Sequence, residues 1–166
     1  MNDLLVLAHL LPGPQHGYAL KKQVGFIVGR DEMHNNLIYP LLRGFETKGW
    51  ITRRTAAGQR GQTREVYALT KKGKLQLLRR LGQFTDKDAG SENAFRLRVG
   101  MFDMLDSETR RRILSAREMW LAARQRRITR LADSFSASRW GTEVILFLAR
   151  QIRVERSWIS RLKRVA

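Results

Sequence analysis

The sequence predicts a mainly α-helical chain with one small β-hairpin, an N-terminal domain of residues 1–85 followed by an all-helical domain of residues 94–166. Three observations carry this. Apolar residues recur at helical spacing through the first 48 residues. Two β-prone stretches then flank a glycine-containing turn, and everything beyond residue 94 returns to helical spacing. Between the two domains, Asp86 to Asn93 is polar and reads as a linker.

The elements follow in order. Leu4 to Leu11 is almost continuously apolar and ends at Pro12, which suits a short buried helix. A second helix is expected over Pro14–Val24, with the proline tolerated in its first turn, because its missing N–H has no partner there anyway. A third helix is expected to open near Asp31–His34, where acidic residues favour the helix dipole, and to stop at Gly49. Its inward face would be Leu37, Ile38, Leu41, Leu42 and Phe45, with Pro40 distorting it. Trp50–Thr55 and Thr63–Leu69 form the hairpin, and Thr70 is placed to cap the next helix. In the second domain Leu114, Leu121 and Ile128 fall at intervals of seven. Trp140, Leu148, Ile152 and Ile159 trace a stripe on the last helix, interrupted only by Glu155. Seven-residue spacing implies packing against another helix, and these seven positions are read as a dimer interface. Trp120 and Trp158 are read as core or interface.

Composition narrows the function. With 32 Lys+Arg against 15 Asp+Glu the formal charge is +17, a field that attracts polyanions. The excess is spread evenly: 14 basic against 5 acidic groups in residues 1–83, and 18 against 10 in residues 84–166. There is no cysteine, and His9, His16 and His34 lack ligand spacing, so no metal or cofactor is expected. No apolar run reaches the ~18–20 residues of a membrane span. The apolar start lacks a basic leader and a small-residue cleavage site, so a cytoplasmic protein without a membrane partner is expected. No His–carboxylate pairing or phosphate-cradling glycine loop suggests an enzyme.

Helix, helix, turn, helix and then a hairpin with a basic tip is the winged helix-turn-helix order. A helix fits the major groove of duplex DNA, where base edges are distinguishable, while cations and backbone N–H groups fix the register on phosphates. The third helix offers His34, Asn35, Asn36, Tyr39 and Arg43: asparagine matches adenine, arginine guanine, and tyrosine a phosphate. The hairpin offers Arg53, Arg54, Arg60, Gln62, Thr63 and Arg64, arginines on a slender loop that suits a minor groove. Lys71, Lys72 and Lys74 read as a solvated face. The competing class is a basic RNA-binding or ribosome-associated protein, for which a two-stranded sheet offers little stacking surface.

Three blocks sharpen the reading. Pro14-Gln15-His16-Gly17-Tyr18-Ala19-Leu20 is followed by Ile38-Tyr39-Pro40-Leu41-Leu42, with Phe45-Glu46 and Lys48-Gly49-Trp50-Ile51. Val66-Tyr67-Ala68-Leu69-Thr70-Lys71-Lys72-Gly73 closes the domain. In order and spacing they resemble the PadR family of transcriptional regulators. The stretch from Phe95 to Leu162 is similar to the helical dimerisation and effector region of many members. Gly44 departs from the family's usual basic residue and weakens the helix. The resemblance implies a homodimer on a pseudo-palindromic DNA operator, and a repressor released by a small, often aromatic, effector.

Overall fold

The computed structural model describes residues 2–27, 31–57, 63–135 and 138–166. It divides into two compact units, residues 1–83 and 84–166. The first is a winged helix-turn-helix. Helix α1 (Asn2–His9) buries Leu4, Leu5, Val6 and Leu7 and packs against α2 (Gly17–Ile27) and α4 (Lys71–Gly82). An ion pair from Arg80 on α4 to Asp3 ties the outer ends of α1 and α4. Helix α3 (Asn35–Thr47) follows α2 and leads into strand β2 (Ile51–Ala57), which pairs antiparallel with β3 (Thr63–Leu69).

Several expectations need correction. The second helix begins at Gly17, because Gln15 and His16 form a strand, β1, paired antiparallel with Tyr67 and Val66 of β3. Pro14 therefore precedes a strand, and the sheet has three strands in the order β1-β3-β2. Asp31 and Glu32 lie before α3 rather than in its first turn. The Met33 N–H bonds the Lys21 carbonyl at 2.9 Å and the Met33 side chain is buried, which holds this entry segment against α2. Helix α3 buries Ile38, Leu42 and Phe45, but Leu37 is 44% exposed. Lying about 100° from Ile38 on the helix, it turns away from the core.

The joint between α3 and the wing is made by four residues. Gly49 turns the chain with φ +68° and Trp50 follows, its N–H bonded to the Phe45 carbonyl at 2.8 Å. The Thr70 hydroxyl donates to the Gly49 and Trp50 carbonyls at 2.7 and 3.0 Å, and accepts from the Gly73 N–H at 3.0 Å. Gly73 then passes so close that a Cβ would stand 2.0 Å from the Trp50 carbonyl oxygen. Trp50 itself is buried, stacked near Phe45 at 5.4 Å, with the charges of Lys48 and Arg80 each 4.9 Å from its ring centre.

In the second unit, residues 86–93 are not a linker: Asp86–Gly90 is a helix, α5, and Glu92–Val99 another, α6. A capping box between Thr85 and Asp88 starts α5, which packs against α7 (Ser107–Phe135). Polar residues here are caps and ion-pair partners, which composition alone reads as a loop. Helix α7 and α8 (Arg139–Lys163) form an antiparallel hairpin in which Leu114, Leu121, Ile128, Ile152 and Ile159 are buried within one chain. The seven-residue stripe is therefore the hairpin's own core, which corrects its assignment to a dimer interface. Leu148 is half-buried, while Trp140 is 74% exposed. Glu155 interrupts the stripe because it holds the buried Arg117 through two bonds, of 2.7 and 2.9 Å. Arg117 also donates to the Ala89 carbonyl at 2.6 Å and lies over Trp120 and Phe95, so it joins α5, α7 and α8.

Two glycine substitutions should move stability in opposite directions. Gly73→Ala forces a Cβ into a backbone carbonyl and should cost about 1–3 kcal/mol. Gly44 has open space around its Cβ position and a helical backbone, so Gly44→Ala should stabilise by up to about 1 kcal/mol. Urea midpoints of the two variants check both signs.

Candidate nucleic-acid interface

Helix α3 presents a polar face because its buried residues all turn one way. With Ile38, Leu42 and Phe45 inward, about 3.6 residues per turn carries Asn36, Pro40, Arg43 and Thr47 outward, and all four are exposed. His34 and Asn35 are exposed at the start of the helix. His34 is extended (φ −63°, ψ 139°) and its side chain makes no cap bond. Pro40 has no N–H, so the Asn36 carbonyl lacks its usual donor one turn on. Tyr39 flanks this face, half-buried against the first turn of α2. A Cβ on Gly17 would lie 3.1 Å from Tyr67 and 3.5 Å from the Tyr39 ring, so glycine there lets both rings approach.

The wing separates its arginines by strand register. Arg53 opposes Tyr67 and Thr55 opposes Glu65 on one face; Arg54 opposes Val66 and Ala56 opposes Arg64 on the other. Arg53 is drawn back to the body of the domain, its Nε 3.2 Å from Glu46 on α3 and 3.7 Å from Glu65. Arg54 and Arg64 are exposed and have no acidic partner among the described residues. Thr63 is exposed beside them, whereas Arg60 and Gln62 lie outside the described residues. The candidate cations therefore fall into two groups: Arg53 braces the wing against α3, and Arg54, Arg64 and Arg43 stand free of carboxylates.

Two residues of α2 are exposed as well. Tyr18 is 60% exposed, and Lys22 follows it one turn on. The Lys22 ammonium sits 5.1 Å from the ring centre, and the neighbouring Tyr18 side chain lifts Lys22 above the ordinary lysine value. The signal was present as an i,i+4 pair on the side of α2 opposite the buried Leu20 and Val24.

The second unit contains a cavity of about 560 Å³, walled by Trp120, Phe147 and Trp158 with Arg124, Arg150 and Arg161. Both tryptophans read from sequence as core or interface thus face open space. Among the described residues no cluster of metal-ligating side chains occurs. No described helix is long and apolar enough to cross a membrane.

A recognition helix with a polar outer face, braced to a wing with free arginines, defines a winged helix-turn-helix DNA-binding domain. Residues 6–79 match the model of the transcriptional regulator PadR-like family. Over that stretch the chain is similar to this family of transcriptional regulators. It is similar to Bacillus subtilis PadR in complex with operator DNA, with 19% identity over 98% of this chain and 97% of that one and a TM-score of 0.48. A PadR family regulator from Eggerthella lenta shares 32% identity over 45% of this chain and 63% of that one, with a TM-score of 0.40. One from Clostridium difficile shares 28% over 46% and 78%, with a TM-score of 0.40. No curated protein matches the chain.

Behind the interface, Tyr67 supports a pH test. Burial, and then the Glu65 carboxylate, push its phenol above the ordinary tyrosine value. A pKa raised by folding means the stabilisation is complete below the unfolded value and is lost as pH rises through the folded one. Tyr67→Phe cannot ionise, so urea midpoints from about pH 8 to pH 11 should move in favour of the variant as pH rises. A gap that stays constant over that range refutes the assignment.

Proposed function

We propose that the chain is a homodimeric repressor, acting in the cytoplasm, that holds a pseudo-palindromic operator and leaves it when a small aromatic molecule binds the second unit. The outward face of α3 carries this reading. Asn35, Asn36 and Arg43 have the donor and acceptor patterns that distinguish base edges, with Tyr39 and His34 at the flank and start of the helix for phosphates. Arg54, Arg64 and Thr63 reach the neighbouring minor groove, and Arg60 and Gln62, which precede Thr63 in sequence, are assigned to it with them. Two half-sites presented by two copies give the site length that specific binding needs.

The dimer reading keeps Trp140 from the stripe that the spacing suggested and moves off its buried positions to the exposed side of α8. On α8, Trp140, Val144, Phe147 and Val154 share one face, and each is more than half exposed. Four large apolar groups in a row on one helix favour a partner surface. The cavity supports the effector reading, since Trp120 and Trp158 offer ring faces for an aromatic body.

Enrichment of duplexes from a random pool at fixed salt tests the function. One preferred, two-fold related sequence is expected, and recovery of no preferred sequence defeats sequence-specific regulation. Against the enriched duplex Asn36→Ala should cost about 1–3 kcal/mol while leaving a scrambled duplex nearly unaffected. Equal weakening of both duplexes assigns Asn36 to the backbone instead. For assembly, Phe147→Asp should yield a folded monomer by light scattering with unchanged helicity. A variant that remains dimeric removes this face from the interface.

A further inference from the structure

We infer that the cavity of the second unit takes an aromatic ligand carrying two or more negative charges set apart along its length, as in a nucleoside diphosphate or an aromatic dicarboxylate. The inference rests on the effector reading and fixes the charge of the ligand, which that reading leaves open. Charge on the cavity wall is one-sided: five arginines and two glutamates line it. Glu92 pairs with Arg96, and Glu155 makes its two bonds to Arg117. That leaves Arg124, Arg150 and Arg161, all exposed and none paired with a carboxylate among the described residues. Unneutralised guanidinium groups around one cavity repel one another, and a bound anion relieves that repulsion.

Rings and cations alternate along the wall. Each aromatic residue is followed one helical turn on by one of these arginines: Trp120 by Arg124, Phe147 by Arg150, and Trp158 by Arg161. Two of the rings are held from behind. Trp120 lies 4.8 Å from the Arg117 guanidinium, and its Nε1 is 3.1 Å from where a Cβ on Gly90 would stand. Trp158 meets Phe95 edge-on at 5.7 Å. The tryptophans offer surfaces for a flat ring, and the arginines beside them offer forked N–H donors that match phosphate and carboxylate oxygens. Spacing calls for more than one charge. Arg150 and Arg161 lie about 16 Å apart on α8 at the ~1.5 Å rise of a helix, a separation matched by charges set apart rather than by one carboxylate. A neutral aromatic leaves all three arginines unanswered. The volume, about 560 Å³, lies within the usual range for small-ligand sites.

The test uses the full-length protein, with melting temperature and tryptophan fluorescence as readouts of binding. ADP and terephthalate are the multiply charged probes, one for each source; adenosine and benzoate are their neutral and singly charged counterparts. At least one multiply charged probe should bind roughly tenfold or more tighter than its counterpart, and the tighter of the two names the source. Arg124→Gln and Arg161→Gln should each weaken that probe by about tenfold, with unchanged helicity because both side chains are exposed. Arg126→Gln and Arg130→Gln, at exposed positions of α7 outside the cavity, should leave its binding unaltered. Counterparts that bind as tightly as the charged probes overturn the inference, as does binding of none of the four. Equal weakening by the two outside variants also overturns it, since it marks general attraction to a basic surface. Tight binding that leaves the enriched duplex bound upholds the ligand class and removes release from the proposed function. Release by benzoate or adenosine alone does the reverse.

Discussion

The Thr70 hydroxyl, shared between the Gly49 and Trp50 carbonyls and the Gly73 amide, sets the geometry on which the first unit depends. It caps α4 and closes the end of α3 with one side chain, so the wing that starts at Ile51 leaves α3 at a fixed angle. The absence of a side chain at Gly73 is the other half of the constraint, because the carbonyl of Trp50 occupies the space. Arg53 completes the brace from the far side by reaching Glu46. Helix and wing therefore form one reading head, and their relative placement follows from local chemistry around six residues.

The second unit is organised around a charge rather than an apolar anchor. Arg117 is 3% exposed and bound by Glu155, the Ala89 carbonyl and two aromatic rings. Removing such a group from water is expensive unless every donor finds a partner. The partners come from α5, α6, α7 and α8, so one side chain ties four helices together. Arg98 follows the same pattern: burial lowers its pKa, Asp88 opposes that shift, and the Ala94 carbonyl accepts its Nη1 at 3.0 Å.

The fold class, the hairpin and the polar face of α3 were legible because apolar periodicity and the Thr70-to-Gly73 spacing are local signals. What was misread depended on pairing between distant segments. Gln15 and His16 carry no strand signal of their own and become β1 only because β3 has a free edge. Residues 86–93 look like a linker by composition, yet their acids and hydroxyls are caps and ion-pair partners for residues further along the chain. The heptad stripe was recognised correctly as a packing seam, but spacing cannot tell a helix of the same chain from a helix of another. Leu37 was assigned inward from a run of apolar residues, where the register of Ile38 and Leu42 admits only one face.

Because Leu114, Leu121, Ile128, Ile152 and Ile159 close the α7–α8 hairpin within a single chain, its folding requires no second molecule. A short connection between the two helices keeps the search local, so this hairpin is expected to form early and at a rate independent of protein concentration. Any association through the exposed side of α8 is then a later, bimolecular event between finished surfaces. Order of assembly follows directly from which side of one helix is already covered.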